Sequence, residues 1–487
     1  MKTILLFSRN DLVNLYGGLA NRLKNEFRFV HLAYSHVERR ILNEKYGITD
    51  VVVFKDEINK LFQFIKYDPA LNTIIDQEVI QYTGQSFNLN AAVQSDRTFA
   101  FLTYDECLHL IQVYYTFWNQ MVTRFSFNFM VHEPVALSFL QIAHVVLLKH
   151  DILYLTQINV FGEHKYNWIF VCAHNGFPVG LPENLAAENT EEADLSRASK
   201  FLNEFRSNYQ LIFPNIASKT KSKNHFSYLK QSFAAILRTL KRRMVYKPDL
   251  PALSIDHVEL YGRKSGSGLV DTLKNIYDYT YKVRYDSYDR SLNYFYFPMH
   301  MEPEAVVLYW GDGLYKNQIK LIENIASQLP PHYYLFVKSH PIVKEPVLYN
   351  DIKRIKAIPN VKFLDPDVSG RMIIAYSKGV MTINGTSGFE GVLLNKPVFV
   401  FGNSFYDLAE MVIKVKNIRD LRESVYVAIA TKADETRLLK FIVAYLRSTK
   451  PGFVSYYLDY FERMGLEHEE NIDEVSRGFQ LLITLRS

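Results

Sequence analysis

At 487 residues the chain exceeds what one hydrophobic core normally spans, so two domains of roughly 200–250 residues are expected. Hydrophobic residues make up 48% and charged residues 22%, a globular balance that excludes a disordered chain. A net charge of +5 is too small to imply nucleic acid, and two cysteines, Cys107 and Cys172, exclude a disulfide framework or a cysteine metal cluster. The cysteine usage fits a reducing, cytoplasmic setting. The apolar run at Thr3–Ser8 is too short for a signal peptide, and no apolar stretch approaches the ~18–20 residues of a membrane span, so a soluble or peripheral protein is expected.

In chain order, Thr3–Ser8 predicts a buried parallel strand. A helix is expected from Tyr16 through Gly17-Gly18 to Leu23, with the glycines open to a ligand approach or, more simply, marking a tight turn or helix start. Strands at Phe27–Tyr34 and Asp50–Phe54 flank a helix at Val37–Tyr46, the opening of a doubly wound α/β domain. Residues 57–126 read as a mostly helical insertion. Phe127–Val131 returns to strand and runs into His132-Glu133-Pro134, where open α/β sheets place ligands. A helix at Val135–His150 and a strand at Ile152–Leu155 follow. Phe170–Gly176 reads as loop, and 183–200 as an exposed polar connection.

Residues 219–247 carry nine Lys and Arg and no Asp or Glu, with apolar residues at helical spacing. This is either a helix packed on its own domain with a solvated basic face, or a basic amphipathic helix lying on anionic lipid. Gly262–Gly268 lacks P-loop spacing and reads as a connection. From Asn293 the alternation restarts. Strands are expected at Phe295–Met299, Tyr333–Lys338, Val361–Leu364, Val380–Ile383 and Pro397–Phe401, with helices at Lys316–Gln328 and Ser369–Ser377. Leu408–Ser487 reads as mostly helical.

Three ordered motifs mark the second half. Gly385-Thr386-Ser387-Gly388-Phe389-Glu390 is a glycine-flanked hydroxyl pair at a strand-to-helix turn, the parts that hold a phosphate. It can also be a mere tight connection, and Glu390 either complements the helix dipole or bonds a ribose hydroxyl. Lys338-Ser339-His340-Pro341 ends a strand; His340 can hydrogen-bond or protonate a phosphate leaving group while Lys338 supplies charge. Phe297–Glu304 places His300, Glu302 and Glu304 after the domain's first strand, as ligand groups or local caps. Asp365-Pro366-Asp367 matches D-x-D, yet it precedes a helix where Asp is a preferred cap, so no essential metal is expected. In the first half Glu133 is the candidate base or nucleophile, while Asp96-Arg97 reads as an internal ion pair and Asp312 as a lesser candidate.

These residues resemble the capsule polysaccharide biosynthesis family, which includes bacterial β-Kdo transferases. The resemblance rests on Phe297–Glu304, Lys338–Pro341 and Gly385–Gly391 running on to Lys396-Pro397-Val398, within roughly residues 290–410. It implies a GT-B glycosyltransferase: two Rossmann-like doubly wound α/β domains facing across a cleft, with helical insertions. The expected division is 1–285 for the acceptor, 286–425 for the nucleotide sugar, and 426–487 as helices packing back on the first domain. It further implies a CMP-activated 3-deoxy-ulosonic acid donor with its phosphate held around His340, Thr386 and Ser387. The residues themselves add His300, Glu304, Lys338, Gly385, Gly388 and Glu390 to the expected donor site and make Glu133, with His340, the expected catalytic pair, Glu133 being one the resemblance does not align. No cofactor is expected beyond the co-substrate. The expected partners are the donor, a glycan or glycolipid acceptor and, by peripheral contact, inner-membrane anionic lipid, not nucleic acid. Rival readings are a UDP- or GDP-sugar transferase, a teichoic-acid-type polyol-phosphate transferase, or a non-catalytic scaffold of polysaccharide assembly.

Overall fold

The computed structural model describes residues 1–83, 88–96, 98–99, 102–187, 191–207, 284–300, 309–311, 314–340, 349–455, 461 and 464–484. The basic stretch 219–247, the glycine-rich 262–268, Arg97, Glu302, Glu304, Asp312 and Pro341 therefore lie outside the described residues. Chain contacts divide the protein into two units. The first takes the described residues up to 207 together with 439–487, and the second takes those from 284 to 438.

The first unit opens with β1 (Lys2–Ser8), α1 (Leu12–Leu23), β2 (Phe27–Ala33), α2 (His36–Tyr46) and β3 (Val51–Val53). Ser35 and Glu38 form a capping box that starts α2, and Gly47 ends it at φ 69°, each cap contributing about 1 kcal/mol. The expected helical insertion is present as α3 (Phe54–Phe64), α4 (Pro69–Thr83), α5 (Leu89–Ser95) and α6 (Tyr104–Phe125). A second capping box, Thr103 with Glu106, starts α6. Then come β4 (Phe129–His132), α7 (Ser138–Lys149), β5 (Leu153–Val160), β6 (Asn167–Cys172), α8 (Leu181–Ala186) and α9 (Glu192–Ser207).

Two sequence expectations need correction. Phe170–Cys172 is strand, because β6 returns antiparallel against β5 and buries all six of its residues. The polar stretch 183–200 is largely helix, because Ala198, Phe201, Leu202 and Phe205 give α9 a buried face that its charge content hides. Gly17 and Gly18 lie inside α1, with no turn there. A Cβ on Gly17 would stand 2.4 Å from the Tyr46 ring, and one on Gly18 2.9 Å from Ile472, so both glycines serve close packing.

The second unit contains β7 (Asn293–Pro298), α10 (Gln318–Gln328), β8 (Tyr333–Lys338), α11 (Tyr349–Lys356), β9 (Val361–Leu364), α12 (Gly370–Tyr376), β10 (Val380–Thr382), α13 (Thr386–Leu393), β11 (Val398–Val400), β12 (Val412–Lys414) and α14 (Leu421–Ala430). Helix α15 (Glu435–Ser448) leads the chain back to the first unit. There β13 (Lys450–Pro451) joins the sheet edge and α16 (His468–Thr484) packs on α1.

Each unit is built on its own sheet, ordered β13-β6-β5-β4-β1-β2-β3 in the first and β12-β11-β10-β7-β8-β9 in the second. All neighbouring strands run parallel except at β5-β6 and β6-β13. Both units are thus Rossmann-like doubly wound folds, as expected. In such sheets the strand order reverses at one point, and ligands bind outside the carboxyl ends there. The reversal falls between β1 and β4 in the first unit and between β7 and β10 in the second.

Candidate functional site

In the second unit the reversal point gathers two of the three motifs. His300 follows β7, and its backbone is fixed on both sides by the Gln318 amide, which accepts from His300 N at 2.8 Å and donates to His300 O at 3.1 Å. This aims the imidazole at the end of β10, where Nε2 lies 3.3 Å from Thr382 Oγ1. The ring also packs on Gly385: a Cβ there would meet His300 Cε1 at 3.0 Å.

Gly385 begins α13 in an extended conformation with no side-chain cap. Its amide is taken by the Tyr406 hydroxyl at 3.3 Å, and that hydroxyl donates in turn to Gly385 O at 2.8 Å. Tyr406 is fully buried, and a Cβ on Gly388 would sit 2.1 Å from its hydroxyl oxygen. Gly388 is therefore required so that the tyrosine can reach under the turn. The Thr386 and Ser387 amides have no acceptor among the described residues, Thr386 is exposed and Ser387 half-buried. Two amides, two hydroxyls and a helix N-terminus thus face outward without an acidic residue in the first turn.

Lys338 ends β8 beside β7 but is only 6% exposed. Its ammonium donates to Pro366 O at 3.2 Å and Val368 O at 3.0 Å, so it ties down the loop between β9 and α12. Burial lowers its pKa, opposed by Glu390, Asp367 and Asp365. Glu390 is 7% exposed, and after burial itself it is the next cause that holds the Tyr296 phenol above its usual range. Glu390 is therefore buried near enough to act electrostatically on both Lys338 and Tyr296. Burial, and then His340, lower His300 to about 3; burial, and then Lys338, lower His340 as well. Both imidazoles are neutral at pH 7 and can each accept a proton when an anion arrives.

The D-x-D stretch turns back on itself, Asp365 Oδ1 accepting from Asp367 N at 2.8 Å. The cap of α12 is Ser369, which corrects the expectation of an aspartate cap.

In the first unit the reversal point holds His132 and Glu133 at the end of β4. They face differently. His132 is fully buried, stacked on Phe7 with centroids 4.5 Å apart, and Nδ1 donates to Phe7 O at 2.7 Å. Glu133 keeps 32% of its side chain exposed, with Arg9 Nη1 3.8 Å from its carboxylate. Asp96 caps α7 by accepting from Ser138 N at 2.8 Å. Sequence reasoning missed Arg9, Tyr406, Thr382 and Gln318. Only Arg9 left a local signal, a charged residue directly after a buried strand.

The fold and the two reversal points define a two-unit doubly wound α/β protein with polar groups converging at the carboxyl end of each sheet. Residues 227–416 match the family described as "Capsule polysaccharide biosynthesis protein", so the resemblance carried by the motifs is borne out over this stretch. Protein FixF of Sinorhizobium fredii is 30% identical over 105 residues, covering 22% of this chain and 24% of that one. Capsule polysaccharide modification protein LipB of Neisseria meningitidis serogroup A is 33% identical over 95 residues, covering 18% and 23%. The chain thus spans about a quarter of the length of the curated relatives it matches. Among solved structures, Thermosulfurimonas dismutans KpsC, beta Kdo 2,7 transferase, superposes with a TM-score of 0.34 at 12% identity, covering 76% of this chain and 89% of that one. At that score the fold rests on its own sheet order. Among the described residues no helix is long and apolar enough to cross a membrane.

Proposed function

We propose that the protein is a glycosyltransferase of capsule or surface polysaccharide synthesis. It would transfer a 3-deoxy-ulosonic acid, Kdo or a relative, from a CMP-activated donor to a glycan or glycolipid acceptor at the cytoplasmic face of the membrane. What carries the reading is the convergence of His300, Thr382 and the Gly385–Ser387 turn at the reversal point of the second sheet. That turn offers two amides and two hydroxyls, a set suited to one phosphate. A CMP-sugar has a single phosphate, so no metal is required to bridge a diphosphate.

In the reaction the bond between the anomeric carbon and the CMP phosphate oxygen breaks, and a bond from that carbon to the acceptor hydroxyl oxygen forms. CMP leaves with the electron pair, and the hydroxyl proton passes to a base. His300, packed on Gly385, and His340, electrostatically coupled to it, are the neutral imidazoles assigned to hydrogen-bond or protonate the departing phosphate. Lys338 acts through the loop it holds. Glu133, at the reversal point of the first sheet, is the carboxylate assigned to the acceptor, as base or as nucleophile.

Calorimetry with CMP, UDP and GDP tests the donor. CMP should bind most tightly, and Ser387→Ala and His340→Ala should each weaken it about tenfold or more, the loss of about one charge-assisted hydrogen bond. Wild-type CMP affinity in both variants would remove the phosphate assignment, and tighter UDP or GDP binding would replace the donor.

A further inference from the structure

The first sheet's reversal point contains a largely buried cation whose ion-pair partner, Glu133, stands beyond hydrogen-bond range. Arg9 follows β1 directly, and only 15% of its side chain is exposed. Its guanidinium lies over the Tyr34 ring at 5.0 Å and near the Phe139 ring at 6.0 Å, while Lys55 Nζ stands 5.3 Å from the same Tyr34 ring. Its distance to Glu133, 3.8 Å, is too long for a hydrogen bond. Among the described residues its Nε is buried without a hydrogen-bond acceptor.

The surrounding groups repeat the pattern. His132 is fully buried; its Nδ1 proton goes to Phe7 O, which leaves Nε2 as a lone-pair acceptor, and that atom has no partner. Ser8 Oγ at the end of β1 and Thr156 Oγ1, opposite His132 in β5, are also buried without partners. These four atoms are a third of the twelve such atoms among the described residues: Ser8 and His132 end β1 and β4, Arg9 follows β1, and Thr156 lies mid-strand in β5 level with the end of β4. Stacking on aromatic rings offsets only part of the cost of withdrawing a guanidinium from water, and an ion pair without hydrogen bonds does not restore the rest. Natural cores rarely leave such groups unsatisfied unless a ligand completes them.

We propose that Arg9 recognises a sugar carboxylate, so that the first unit's ligand is an acidic saccharide seated over the ends of β1 and β4. The planar fork of an arginine matches a carboxylate in two parallel hydrogen bonds, whereas a lysine could offer only a point charge. Glu133, on one side of the guanidinium, is then placed to accept from a sugar hydroxyl while Arg9 holds the acid group. The inference builds on the reading of the first unit as acceptor-binding, but its test needs no turnover.

The Arg9 Nε–Hε resonance, identified in ¹⁵N-arginine protein by its loss in Arg9→Lys, is followed while glucuronate, Kdo, methyl glucoside or inorganic phosphate is added. A saturable shift with a sugar acid, absent with methyl glucoside, is expected, together with about tenfold weaker sugar-acid binding in Arg9→Lys by calorimetry. Arg9→Met should lose the binding yet keep or raise the thermal midpoint, since it removes an unsatisfied charge. No shift with any acid, tighter binding of inorganic phosphate than of the sugar acids, or a large fall in the midpoint of Arg9→Met would each overturn the proposal. CMP titrations of the same proteins separate the two readings. Failure of wild type to bind CMP removes the proposed donor site and leaves the Arg9 assignment standing.

Discussion

Tyr406→Phe is the sharpest probe of the phosphate turn. The phenol is fully buried, donates to Gly385 O at 2.8 Å and accepts from Gly385 N at 3.3 Å. The phenylalanine keeps the ring against Phe389 and Phe405, so the core persists and only the hydroxyl is lost. With one good hydrogen bond and one long one removed, and the Gly385 amide left without its acceptor while Gly385 O keeps Gly388 N at 3.0 Å, the cost is about 2 kcal/mol. If that cost falls on the geometry that binds the ligand, CMP affinity drops by about 30-fold. Hydrogen exchange over residues 383–389 reports the turn directly and should accelerate at 385–388, while calorimetry reports the affinity. Unchanged exchange together with wild-type CMP affinity would show that Tyr406 does not set the turn.

Four further outcomes follow from the same geometry. Gly388→Ala should drive its Cβ into the Tyr406 hydroxyl, lowering the second unit's stability by about 1–3 kcal/mol in urea titration; a neutral result would mean the tyrosine can move aside. Gly18→Ala meets Ile472 and should destabilise the first unit by a similar amount, less about 1 kcal/mol regained from helix propensity, with α16 exchanging faster. His132 is lowered to about 3 by burial and then by Arg9, so below pH 6.5 only the unfolded chain takes up its proton. Its contribution is complete above pH 6.5 and is lost as pH falls toward about 3, about 1.4 kcal/mol per pH unit, which urea midpoints at pH 7.5 and 5 would register. His300 and His340 are held neutral mainly by burial, so a bound phosphate should raise both. CMP binding should then take up protons and tighten as pH falls from 8 to 6. Calorimetry in buffers of different ionisation heat measures the uptake, and a value of zero would exclude the imidazoles as phosphate partners.

Local sequence was sufficient for the alternation of strand and helix, since buried parallel strands are short apolar runs and the helices between them carry their own caps. The capping boxes at Ser35 and Thr103 and the hydroxyl turn at Gly385–Ser387 are features of neighbouring residues, legible without a fold. The polar α9 was hidden because its four buried side chains are outnumbered locally by charges. The strand character of Phe170–Cys172 was hidden because an antiparallel return depends on its partner.

The tertiary structure decided which polar residues share a place. Strand order brings His300 beside Thr382, 82 positions away, and Arg9 beside Glu133, 124 positions away. Tyr406 comes back under Gly385 from beyond β11. Burial also changed roles: Lys338, a free charge by sequence, spends its donors on two loop carbonyls, and Glu390 is itself buried within electrostatic reach of it. Periodicity and propensity are short-range, so one chain specifies its elements locally. The reversal point of a sheet is a long-range consequence of strand order, and the groups that converge there are set by packing.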